Sequence, residues 1–264
     1  MYRFNYHKAS SLAEASQLRS GADEGVFLAG GMTLIPTMKQ RLAAPTDVVD
    51  LAGIEGLSGI AVGDTVTIGA MTPHADVAAS AAVQGAIPAL ADLAGRIGDA
   101  HVRNRGTIGG SIANSDPAAD YPAGVVALNA TVHTDRRDIA GEDFFLDLFE
   151  TALSSGEIVT SVEFPIPARA AYAKFPNPAS RYAIVGVMVA ELEGAVRVGV
   201  TGAGPCAFRS AELEAALAGG LSVAALDGVS VPDGNLNSDM HASAAYRAHL
   251  VAVMARRAVG QLVA

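Results

Sequence analysis

Tryptophan is absent and cysteine occurs once, at Cys206. A single thiol closes no internal disulfide and holds no iron–sulfur cluster, which takes about four cysteines. No His-Glu-x-x-His, Cys-x-x-Cys or His-x-His pattern occurs, and the six histidines are scattered. That argues against a structural metal site. Runs of Lys and Arg are missing too, and the formal net charge is -9. Nucleic acid and anionic membrane are poor partners for such a chain. No apolar run approaches the ~20 residues that span a bilayer. Met1 to Ser10 is polar and mixed, unlike a signal peptide, so the expected location is the cytoplasm. No Ser/His/Asp set or carboxylate pair stands out as a hydrolytic site. If the chain does redox chemistry, it borrows an organic cofactor.

What is present is a globular composition: 264 residues, half of them hydrophobic and 17% charged, rich in Ala and Gly. The length suits two compact domains. The pattern predicts helices over Ser11–Arg19, Leu34–Arg41, Thr72–Ser80, Ile87–Ile97, Ala211–Ala218 and Ala242–Val259. It predicts strands over Val26–Ala29, Asp47–Leu51, Thr65–Ile68 and Ile158–Phe164. A strand pair over Ala183–Ala190 and Ala195–Thr201 turns at Glu193-Gly194. His101–Asn114 reads as a Gly-rich loop region, Gly124–Val132 as containing a buried strand, and Phe144–Phe149 as a short helix or turn. Tyr2, Phe4 and Tyr6 alternate as an edge strand, and Asp135–Asp138 reads as a solvated hairpin tip. Phe164–Ala173, with its two prolines, is the best domain boundary. Strands and helices mix without a regular βαβ rhythm, which favours an α+β fold.

Two segments carry the chemistry. In Phe27 to Pro36 a strand runs into Gly30-Gly31, a hydroxyl follows at Thr33, and a helix starts. Glycines there let backbone N–H groups approach a phosphate, and the helix start favours an anion. A lone Gly-Gly also reads as an ordinary tight turn. The second segment, Arg103-Asn104-Arg105-Gly106-Thr107-Ile108-Gly109-Gly110-Ser111, sets hydroxyls on both sides of a glycine pair. It is neither a Walker loop nor the GxGxxG fingerprint. Together the two loops read as a clasp for one diphosphate. On that reading, bulky residues at Gly30 and Gly110 would remove the ligand while the chain still folds. Asp116 and Asp120 follow at once, as acceptors for sugar hydroxyls or an adenine amino group, or as solvated loop carboxylates.

Ala29–Pro36 and Arg103–Pro122 resemble the paired FAD motifs of the medium subunits of molybdenum hydroxylases, the carbon monoxide dehydrogenase, aldehyde oxidase and xanthine dehydrogenase group. Lys174–Val187 (KFPNPASRYAIVGV) is similar to the start of that family's C-terminal domain, its carbon monoxide dehydrogenase branch above all. The resemblance spans nearly the whole chain. It implies an α+β fold: a two-lobed FAD-binding domain of the vanillyl-alcohol oxidase (PCMH) type over 1–167, with lobes of about 1–55 and 56–167, then a small α+β domain over 168–264. It implies that Ala29, Gly30, Gly31, Met32, Thr33 and Leu34, with Leu28 before them, and Thr107, Gly109, Gly110 and Ser111 wrap the FAD pyrophosphate. Asp120 then meets polar groups of the cofactor, Val159 touches the flavin, and Lys174 stands near the cofactor; Asp116 is a cofactor contact only on the reading of the residues themselves. Tyr182 is expected beside the isoalloxazine ring, with no catalytic residue certain. Ile97 departs from relatives that have an aromatic there.

The implied role is electron transfer. Electrons arrive from a small [2Fe-2S] subunit of a complex that also holds a large molybdopterin subunit. They leave to quinone, NAD or dioxygen. The expected assembly is a hetero-oligomer, a dimer of heterotrimers being one such form. The rival readings are a self-contained FAD oxidoreductase and an assembly subunit without flavin. Of the remaining residues, Arg103 and Arg105 read as braces on backbone carbonyls ahead of screens for the diphosphate, His74 as a surface histidine ahead of a helix cap, and Cys206 as a structural turn thiol ahead of a redox one.

Overall fold

A computed structural model describes all 264 residues. The first unit is built from β1 (Asn5–Lys8), α1 (Leu12–Ser20), β2 (Gly25–Leu28), α2 (Leu34–Lys39) and β3 (Asp47–Asp50). Its three strands run parallel in the order β1-β3-β2. A local βαβ rhythm therefore does exist here, inside a fold that is mixed overall. Helix α1 starts where the Ser11 hydroxyl accepts from Glu14 N–H, while Glu14 reaches back to Ser10 N–H at 2.8 Å.

The second unit begins with β4 (Ile60–Val62) and β5 (Thr65–Gly69). The helices α3 (His74–Ala79), α4 (Ala81–Ala86), α5 (Pro88–Gly95), α6 (Ala100–Arg105), α7 (Ile108–Asn114) and α8 (Tyr121–Ala127) follow. Next come β6 (Thr131–Thr134), β7 (Asp138–Ala140), α9 (Gly141–Phe144), a small hairpin β8 (Phe145–Asp147) and β9 (Glu150–Thr151), and β10 (Val159–Pro165). The main sheet has the order β4-β5-β10-β6-β7.

The third unit is a four-stranded antiparallel sheet of β11 (Arg169–Pro176), β12 (Ala183–Leu192), β13 (Ala195–Thr201) and β14 (Phe208–Arg209), with α10 (Ala211–Leu217) and the long α11 (Ala244–Val263). Only Ile166–Ala168 separates β10 from β11. Side chains alternate across a strand, and this sheet uses both faces. Ala171, Ala173, Val185, Val187 and Val189 pack toward Val251, Met254 and Ala258 of α11. Tyr172, Met188 and Ala190 belong instead to the core of the second unit, with Leu90, Leu93 and Val126. One sheet thus joins the two cores.

The structure corrects several sequence expectations. His101–Asn114 is not a loop: α6 and α7 fill it, broken only at Gly106-Thr107. Both helices are started by side-chain caps, Asp99 accepting from Val102 N–H and Thr107 from Gly110 N–H. Gly124–Val132 holds the end of α8, and its strand starts only at Thr131. Every residue of α8 is buried, so no polar face marks its period in the sequence. Phe144–Phe149 is neither wholly helix nor turn, because Phe145–Asp147 pairs as a strand. The Asp135–Asp138 tip is pinned rather than merely solvated: Arg137 Nε lies 3.0 Å from Glu157 and Asp135 accepts from Ile158 N–H. No group of three or more His, Cys, Asp or Glu side chains comes together, and no helix is long and apolar enough to cross a membrane.

Candidate cofactor site

A cleft of about 580 Å³ opens where the two glycine loops meet. That is the size of a small-molecule or cofactor site. Its walls come from the β2–α2 turn, the α6–α7 junction, the start of β10 and the loop after β11. The loops touch backbone to backbone. A β-carbon at Gly30 would overlap the Arg105 carbonyl and sit 2.9 Å from Gly106 Cα. At Gly109 it would lie 2.5 Å from Ala70 Cβ, so α7 rests directly on the end of β5. The junction is fixed from that side as well: His74 N–H donates to Gly106 O at 3.0 Å and Gly109 N–H to Ala70 O at 2.8 Å.

The glycines therefore serve close packing of the loops first. A bulky residue at Gly30 would break the junction itself, which corrects the expectation that such a variant still folds. Gly110 is more tolerant: an added β-carbon would meet Thr107 Oγ at 3.0 Å and Ala29 Cβ at 3.2 Å.

The loops are not equivalent in chemistry. None of the N–H groups of Gly30, Gly31, Met32 and Thr33 donates to another group of the chain. Gly31, at φ 73, adopts the left-handed conformation that glycine favours. In the second loop the N–H groups of Gly109, Gly110 and Ser111 are all used internally, at Ala70 O, Thr107 Oγ and Thr107 O. What this loop offers is the Ser111 hydroxyl, which makes no hydrogen bond within the chain. A turn with free donors facing a hydroxyl-bearing turn suits a diphosphate.

Of the residues singled out in the sequence, most line this cleft: Ala29 to Leu34, Ile97, Thr107, Gly109, Gly110, Ser111, Asp116, Asp120, Val159 and Tyr182. Leu28 and Lys174 do not. Leu28 ends β2 behind the turn. Lys174 stands one layer back, its Nζ 2.8 Å from Asp120 and 3.1 Å from Arg96 O. Asp120 is buried in the wall, and its other oxygen accepts from the Tyr172 hydroxyl at 2.5 Å. Burial pushes the Asp120 carboxyl up, opposed by the Lys174 ammonium. Burial also raises Asp116, whose oxygen accepts from Ala118 N–H. Tyr182, half-exposed at the mouth, is raised by burial and then by the Asp116 charge.

Among the wall residues that sequence reasoning missed, two are titratable and buried. His74 is not on the surface: it is buried, tilts on Tyr121 with ring centroids 5.3 Å apart, and leaves Nδ1 without a partner. Burial, then the Arg103 charge, lowers its pKa to about 4. Nothing in Thr-Pro-His marks such a position. Glu157 is the other. Its pKa is held down to about 2, first by the Arg137 hydrogen bond. Arg103 does act as a brace, donating to Ile97 O and Gly98 O at 3.0 and 3.3 Å. Cys206 lies near Phe145 O at 3.6 Å as a structural thiol.

The chain is similar to known flavoprotein subunits. Residues 2–167 match the family described as the FAD binding domain in molybdopterin dehydrogenase. Residues 170–262 match the CO dehydrogenase flavoprotein C-terminal domain. The chain is 34% identical to the nicotine 6-hydroxylase medium subunit of Paenarthrobacter nicotinovorans, over 96% of this chain and 95% of that one. It is 37% identical to the carbon monoxide dehydrogenase medium chain of Hydrogenophaga pseudoflava, over 78% and 77%. A solved carbon monoxide dehydrogenase structure from Hydrogenophaga pseudoflava superposes with a TM-score of 0.89 at 34% identity, covering 98% of this chain and 96% of that one. The free donors, the open hydroxyl and the apolar walls of the cleft fit FAD. The chain belongs to the molybdenum hydroxylase family as its FAD-binding oxidoreductase subunit, of the carbon monoxide dehydrogenase medium-chain type.

Proposed function

We propose that this chain relays electrons from the [2Fe-2S] clusters of a small subunit, through FAD, to quinone, NAD or dioxygen. Substrate oxidation falls to a large molybdopterin subunit of the same complex. The observation that carries this reading is a cleft of cofactor size shared by two glycine turns about eighty residues apart, one with free N–H donors and one with a free hydroxyl. Flavin supplies the redox chemistry, taking up electrons singly and releasing them in pairs. The protein binds and orients it.

In this reading Gly30 to Thr33 and Ser111 hold the diphosphate. With FAD bound, Ile97, Val159 and Tyr182 would flank the ring, and Asp116 and Asp120 would accept hydrogen bonds from the cofactor's sugar hydroxyls or adenine amino group. Residues 1–167 form the FAD-binding domain, with lobes of about 1–55 and 56–167, and 168–264 the C-terminal domain. No base or nucleophile is poised in the cleft. Its histidine is neutral and packed, and its acids are held by Lys174 (Asp120), Arg137 (Glu157) and Ala118 N–H (Asp116). That favours a relay over a self-contained oxidase. Support for an assembly comes from the β8–β9 turn, where Leu146, Leu148 and Phe149 stand more than half exposed side by side. Such a patch suits a partner surface.

The test is rapid mixing of the FAD-loaded chain with a reduced iron–sulfur subunit. Loss of the yellow absorbance on mixing, with none when organic substrate alone is added, is expected. Bleaching by the organic substrate alone would establish the self-contained reading instead.

A further inference from the structure

We propose that Tyr172 is a positioning residue which, from the C-terminal domain, fixes the Asp120 carboxylate in the flavin cleft, and that Gly186 is glycine to allow it. The inference rests on the flavin reading of the cleft.

Tyr172 and Lys174 are two apart on β11 and so face the same side. Both reach the same acid. The Tyr172 hydroxyl donates to Asp120 Oδ1 at 2.5 Å and Lys174 Nζ to Oδ2 at 2.8 Å. Asp120 lies at the start of α8 in the other domain and lines the cleft. With each oxygen bound from one strand, the plane of the carboxylate is set by the docking of the C-terminal sheet. Lys174 alone already supplies the opposite charge. The added hydroxyl contributes orientation, since a phenylalanine would fill the same core space.

Gly186 completes the device. It pairs with Lys174 across β11 and β12, diagonal to Tyr172. The Tyr172 hydroxyl occupies the place where a β-carbon of residue 186 would project, and Thr201 Cγ2 closes the other side at 2.9 Å. An alanine there has no room unless the tyrosine moves off Asp120.

The experiment uses the full chain stripped of flavin. FAD is titrated by quenching of its fluorescence, and thermal unfolding is followed alongside. Tyr172→Phe is expected to fold and to bind FAD about tenfold more weakly, in keeping with loss of a hydrogen bond to a charged group. Gly186→Ala is expected to weaken binding similarly. The double variant should bind like Tyr172→Phe alone, because the displaced hydroxyl is already gone. A hydroxyl that serves only stability would lower the unfolding midpoint and leave the dissociation constant unchanged; that result overturns the proposal, as do additive losses in the double variant. Wild-type chain that takes up no FAD would overturn the flavin reading together with this one.

Discussion

His74 shows what one buried ring does to the pH response of the whole chain. Unfolded, it takes up a proton near pH 6.5; folded, only at about 4. The unfolded state therefore binds more protons between those values. The stability contributed by the neutral ring is complete above pH 6.5 and drains away as pH falls toward about 4. The gap corresponds to about 3 kcal/mol at most. Urea unfolding from pH 7 to 4 should show this decline, and His74→Phe should flatten part of it; an unchanged slope would place the ring elsewhere. Glycine substitutions separate two roles at the same scale. Gly30→Ala collides with the Arg105 backbone, and the expected outcome is a loss of several kcal/mol and poor recovery of folded protein. Gly110→Ala meets only contacts of 3.0 and 3.2 Å and should stay folded, as circular dichroism would report.

At the scale of elements, the turn between β12 and β13 gives a stabilising change. Glu193 and Gly194 have φ 51 and 79, the double left-handed pair of a two-residue hairpin turn. Glutamate is a poor occupant of the first position, and asparagine a good one. Glu193→Asn should raise the unfolding midpoint by the equivalent of about 0.5 kcal/mol, read by calorimetry. This turn, the capped α1 and the alternating β10 were legible because their local signals agree with their tertiary setting. The α6–α8 stretch was not. Its glycines suggested loop, yet Gly109 is there so that α7 can lie on Ala70. Helix α8 hides its period because it is buried all round. The two glycine turns of the site were readable from residue types alone. The contact between their backbones, the buried His74 and the clamp on Asp120 were not, since each joins residues far apart in sequence.

Across the whole molecule, one sheet serves two cores. Tyr172, Met188 and Ala190 pack into the core of the FAD-binding domain while their strand neighbours pack on α11. A shared wall couples the two parts, so the full chain should unfold in one cooperative transition. Residues 1–167 made alone should expose that apolar face and aggregate; two separate calorimetric transitions would argue for independent domains. The cleft also has its place at this scale, with walls drawn from all three units.

The most direct test is a crystal structure of the chain with FAD bound. The diphosphate should lie within hydrogen-bonding distance of the free N–H groups of Gly30 to Thr33 and of the Ser111 hydroxyl. A diphosphate bound away from both turns, or a folded chain that takes up no FAD at all, would contradict the assignment.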